Sequence, residues 1–117
     1  MDLELFPEEV RLAGIEAANY GVGSRSEFER IAREAGYEEP AFTGKRETKG
    51  EAFARIWHEL DQKDQRLVQT KLIAYILKSE RDPRDSYVGE EAERAMKRLK
   101  DAALRKPVIG QVLTFLI

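Results

Sequence analysis

Ser24-Arg25-Ser26-Glu27-Phe28 and Thr48-Lys49-Gly50-Glu51-Ala52-Phe53 open two segments with the same grammar. Each begins with a hydroxyl side chain that can accept the first free N–H groups of a helix. Each has a glutamate three residues on that can reach back to the cap. The first then runs apolar at Phe28, Ile31, Ala32 and Ala35, the second at Phe53, Ile56, Trp57 and Leu60. Spacing of three and four residues is one stripe of a helix. The chain reads as short amphipathic helices that must bury their stripes against one another.

Working outward, Phe6-Pro7-Glu8-Glu9 starts a first helix, with proline and acids suited to a first turn. It runs to about Tyr20 and stops at Gly21-Val22-Gly23. The second helix spans about Arg25 to Ala35, with Gly36 as a left-handed cap. Residues 38–47, with Pro40 and Gly44, read as a loop or broken helix anchored by Phe42. The third helix covers about Lys49 to Leu60. Asp61 is placed to cap a fourth from about Gln62 to Lys78, which is apolar on more than one face through Leu67, Val68, Leu72, Ile73 and Ile76. Asp82-Pro83 ends that element or begins the next. The fifth helix carries Val88, Ala92, Ala95, Met96, Leu99 and Ala103 on one face, and Gly89 could delay its start. Pro107 opens an apolar last element from Val108 to Ile117, expected to fold back as a sixth helix. The predicted fold is all-α: one domain over residues 1–117, a compact antiparallel bundle of about six short helices.

The chain has 117 residues, 42% apolar and 36% charged, which suits one soluble helical domain with its own core. It has no cysteine, which excludes disulfide frameworks and thiolate chemistry and fits a reducing compartment. The N-terminus lacks the pattern of a secretory signal, and no run approaches the roughly 20 apolar residues of a membrane span. A cytoplasmic location is expected. Charge is uneven: residues 1–60 hold 8 Lys/Arg and 13 Asp/Glu, whereas residues 61–117 hold 12 and 9. An acidic and a basic half can face different partners or neighbouring copies.

Candidate chemistry is sparse. His58, the sole histidine, has no partners at ligand or catalytic spacing and reads as a side chain beside a core tryptophan. Gly21-Val22-Gly23 has no strand before it and no phosphate-loop lysine after it. Glu8-Glu9, Glu38-Glu39 and Glu90-Glu91 are adjacent in sequence and so diverge on a helix. No catalytic residue, cofactor site or metal site is predicted, and an enzyme is not expected. The interaction residues proposed are acidic Glu27, Glu34, Glu38 and Glu39, and basic Arg94, Lys97, Arg98 and Lys100. The expected partner is another protein, either a like domain or a second copy, rather than nucleic acid or membrane.

Two resemblances bear on this. Ile31-Ala32-Arg33-Glu34-Ala35-Gly36-Tyr37 followed by Phe42 resembles the first helix and turn of helix-turn-helix repressors. There, however, Glu38-Glu39-Pro40 would open the recognition helix, and acids repel phosphate. Residues 24–60 as a whole resemble bacterial effector-associated and death-fold adaptor domains. The shared order is the capped helix with Phe28, Ile31 and Ala32, then Ala35-Gly36-Tyr37, an acidic link with Phe42, Gly44-Lys45, and a helix with Lys49, Ala52, Ile56 and Trp57. That resemblance implies a death-fold-like bundle and a non-enzymatic adaptor working by like-with-like helical contacts in antiviral defence or cell-death signalling. The alternatives are a small helix-turn-helix regulator and a small inhibitor that blocks a partner's surface.

Overall fold

Helix punctuation written into the chain sets the architecture. The computed structural model describes residues 6–79 and 89–104. Among them are five α-helices and one π-helical turn: α1 (Glu8–Glu16), the π turn (Ala17–Gly21), α2 (Arg25–Ala35), α3 (Lys49–Gln62), α4 (Arg66–Lys78) and α5 (Glu90–Ala103). The Asp82-Pro83 boundary, Val88 and the expected sixth helix lie outside the described residues.

Both hydroxyl caps act as read, but only the second signature closes the reciprocal box, since Glu27 reaches past its cap to Gly23. Ser24 Oγ accepts from Glu27 N at 3.1 Å, and the Glu27 carboxylate accepts from Gly23 N at 3.2 Å. Thr48 and Glu51 form the full reciprocal box, both bonds at 3.1 Å. Gly36 closes α2 at φ +108°, a conformation that glycine adopts without a Cβ clash.

Other boundaries depart from the sequence reading. The first helix does not run evenly to Tyr20, because its last turn widens into the π turn. Asn19 there accepts from Gly50 N at 2.6 Å, so a contact distant in sequence accompanies the extra residue. Asp61 does not cap α4. It lies inside α3 and its carboxylate accepts from Arg66 (2.5 Å) and Gln69 (2.9 Å) side chains. The connection is instead closed by Asp64 at φ +55°, with Gln65 N donating to Leu60 O at 2.9 Å. Aspartate tolerates that left-handed geometry better than most residues.

Packing follows from the stripes. Gly14 meets Phe53 and Asn19 meets Gly50, so α1 and α3 run antiparallel. Arg98 reaches Glu16 at 2.7 Å, while Glu9 lies beside Asp101 and Ala102, so α5 runs antiparallel to α1 on another side. α4 folds back on α3, and α2 packs against α4. The result is a compact all-helical bundle. Phe28, Phe53, Ile56, Leu72, Ile76 and Leu99 are fully buried, and Phe53 stacks on Trp57 with centroids 5.3 Å apart. Burial of such side chains is the main stabilising term. Two apolar residues of the helices are not fully inside. Met96 is only partly buried, its sulfur against Gly21, and Leu67 is 48% exposed near the start of α4. Among the described residues, no helix is long and apolar enough to cross a membrane.

Candidate interaction surface

About a dozen residues, 37–48, join α2 to α3 without regular structure. Backbone carbonyls in such a loop need donors that no helix ladder provides. Two arginines, one from each flanking helix, provide them. Arg55 of α3 donates to Ala41 O at 2.6 Å and makes a two-pronged pair with the Glu47 carboxylate at 3.0 Å. Arg25 of α2 donates to Gly44 O at 2.8 Å and to Glu47 O. The Arg25 guanidinium also lies 3.9 Å over the Phe42 ring, which packs edge-on against Phe28. Glu47 accepts from Thr43 N at 3.0 Å as well, and Tyr37 and Ala41 are buried.

The electrostatics report the same clamp. The Arg55 hydrogen bonds, supported by Thr43 N, hold the Glu47 carboxyl at about 2, far below its ordinary 4.5. The Arg55 guanidinium is raised in turn by Glu47. Tyr37 is pushed up by burial and by its 2.8 Å bond to Glu59. Glu59 is lowered by Lys63 first and Tyr37 second. The backbone of this loop is therefore pre-set, and Glu38, Glu39, Pro40, Thr43, Gly44, Lys45 and Arg46 face solvent.

The eight residues proposed from sequence fall into two groups that the fold does not bring together. Glu27 and Glu34 are on α2, where Arg30 pairs with both, at 3.8 and 3.1 Å. Glu38 and Glu39 are exposed on the loop. Arg94, Lys97, Arg98 and Lys100 are exposed on α5, which packs against α1 and the π turn. Arg94 reaches Glu90 at 3.7 Å, and Arg98 is tied to Glu16. Arg94 also lines two shallow depressions of about 370 and 490 Å³, one with Lys97 and Arg98, the other with Asn19 and Tyr20.

Within α2 and α5, the helices that carry most of the proposed residues, the charge asymmetry dissolves. Arg25, Arg30 and Arg33 balance Glu27, Glu29 and Glu34 within α2. In α5, Glu90, Glu91, Glu93 and Asp101 balance the four basic residues. Acids at the start of α5 and bases in its second half also suit the helix dipole.

Sequence reading missed Arg25 and Arg55, the two residues that organise the loop. The available signal was an irregular segment between two well-capped helices, which needs long donors nearby. It also missed Glu47 as their shared acceptor. The region that resembles a helix-turn-helix does not form one here, because the segment after Gly36 is this loop and not a second helix. No protein-family model, curated protein or solved structure matches the chain.

Proposed function

We propose that the chain is a non-enzymatic protein-interaction module, an adaptor that docks on another protein through exposed charged surfaces. The observation that carries this reading is the clamped α2–α3 loop. Long structureless loops are uncommon in compact domains and are commonly functional. This one is fixed by Arg25 and Arg55 and leaves Glu38, Glu39, Lys45 and Arg46 outward. A pre-set loop loses little conformational freedom on binding, which favours recognition. The exposed basic half of α5 offers a second, separate face, with Arg94 and Tyr20 as residue types enriched among binding hot spots. A death-fold-like role in antiviral defence or cell-death signalling is the most specific form of the proposal and rests on the resemblance of residues 24–60.

The test is site-specific crosslinking in the cell of origin. A photo-crosslinking amino acid at position 39 or 97 should give a discrete protein adduct. The adduct should be lost when the neighbouring charges are reversed. No adduct at either position, with the folded chain expressed, would refute the reading.

A further inference from the structure

We infer that the α2–α3 loop is a self-complementary docking surface whose partner is the same loop on a second copy of this chain. The inference rests on the reading above and makes it specific. Several described cations pair with acids of the same chain: Arg11 with Glu8, Arg30 with Glu27 and Glu34, Arg55 with Glu47, Lys63 with Glu59, Arg66 with Asp61, Arg94 with Glu90, and Arg98 with Glu16. Lys45 and Arg46 do not. They sit side by side at the exposed tip and make no hydrogen bond or ion pair with any described residue. A Cβ built on the preceding Gly44 meets nothing within 4 Å, so the tip projects into open space.

At the other end of the same loop stand Glu38 and Glu39, also exposed. Neither forms an ion pair with a described residue, although Lys63 feels the charge of Glu39. One rigid segment thus carries two adjacent acids, a buried Ala41 anchor, and two adjacent bases. A two-fold contact brings residue i to j and j to i. Two such loops meeting about a dyad near Ala41 to Thr43 oppose Glu38-Glu39 of each copy to Lys45-Arg46 of the other. Arg25 and Arg55 hold the loop at Ala41, Gly44 and Glu47 beforehand, and Tyr37 ties its start to Glu59, so the contact orders little new backbone. Charge complementarity of this kind sets register and partner choice more than strength. Nucleic acid fits less well, because the two cations are flanked by Glu38, Glu39, Glu47 and Glu51 in a chain of net charge −2.

Sedimentation equilibrium of the full chain at low and high salt tests the inference. The wild type should form a dimer whose affinity falls at least tenfold between about 0.01 and 0.5 M salt, since exposed charges are screened. K45E/R46E makes the exposed charges of the loop all acidic, and E38K/E39K makes them all basic, Glu47 staying paired with Arg55. Each should lose self-association at least tenfold while keeping the wild-type melting temperature, because none of the four residues takes part in the clamp. Mixed one to one, they should form a heterodimer tighter than the wild-type dimer. The fourfold reversal should restore a homodimer. Double variants that associate like the wild type, or a mixture that stays monomeric, would overturn the inference. So would a strictly monomeric wild type, or binding of a labelled oligonucleotide that K45E/R46E abolishes. If association instead disappears only in R94E/K97E, the loop inference fails and the interaction-module reading stands.

Discussion

Gly14 of α1 lies against the ring of Phe53 of α3 so closely that a β-carbon on it would sit 2.2 Å from Cζ. Glycine inside a helix normally costs about 0.5–1 kcal/mol relative to alanine. Here the sign should reverse. Phe53 is fully buried and stacked on Trp57, which Phe6 meets edge-on at 5.4 Å, so the ring has little room to withdraw. Gly14→Ala is expected to destabilise the fold by about 1–3 kcal/mol, the usual cost of overpacking. Urea denaturation checks it, and a gain in stability would mean that the α1–α3 contact is looser than the structure has it.

Glu47 makes the loop clamp pH-dependent. Its carboxyl ionises at about 2 in the folded chain against 4.5 ordinarily, chiefly because Arg55 bonds the charged form. A depressed folded value stabilises the fold above the unfolded value, and that contribution fades as pH falls through the folded one. The window is therefore about pH 4.5 down to 2. Glu47→Gln should cost about 1.5–3 kcal/mol at pH 7, as lost hydrogen bonds to a charged partner do. The gap from wild type should narrow through that window and close near its lower end. Thermal melts of both proteins between pH 7 and pH 2 measure it. A constant gap would assign the effect to packing and not to ionisation.

How far the sequence carried is visible residue by residue. The bounds of α2 and the start of α3 were legible because Ser24, Gly36, Thr48 and Glu51 act within one turn of themselves. The buried stripes of Phe28, Ile31, Phe53 and Ile56 were legible for the same reason, since helical period alone aligns them. The π turn, the fate of Asp61 and the exposure of Leu67 were not. Each depends on the assembled helices: Asn19 meets Gly50, Asp61 meets Gln69, and Leu67 is left outside the packed faces of α4. The candidate surface divides the same way. Glu38 and Glu39 were visible as exposed acids, but the clamp spans from residue 25 to residue 55 and exists only once α2 and α3 are assembled.

Gln69 is fully buried, and its amide donates to Asp61 Oδ1 at 2.9 Å while its oxygen accepts from Arg66 at 2.7 Å. A buried polar group of this kind is tolerable only while its partners are present. Asp61→Ala should cost about 1–3 kcal/mol by leaving the amide N–H without its best acceptor. Gln69→Leu in the same background should cost much less than it does alone, because the amide donor that Asp61 satisfied is then already without its acceptor. The coupling from the double-mutant cycle should exceed about 0.5 kcal/mol, as for contacting residues. Strict additivity would show that the two side chains do not depend on each other.

Asn19 tests whether the π turn is held by the helix it caps. The first turn of α3 receives two acceptors: Thr48 Oγ1 takes Glu51 N at 3.1 Å, and Asn19 Oδ1 takes Gly50 N at 2.6 Å. Gly50 is buried, so water cannot readily replace that acceptor. Its lack of a side chain allows the approach, since a β-carbon there would sit 2.3 Å from Asn19 Nδ2. Asn19→Ala should cost about 1–3 kcal/mol, the penalty of leaving a buried donor unmade. Asn19→Asp keeps the acceptor and adds negative charge at the positive end of α3, a favourable term of about 0.3–1 kcal/mol. It should therefore retain more than half of the stability that Asn19→Ala loses. Urea denaturation of the three proteins at pH 7 decides. Equal losses in the two variants would show that the amide's N–H side, and not its bond to Gly50, is what the π turn requires.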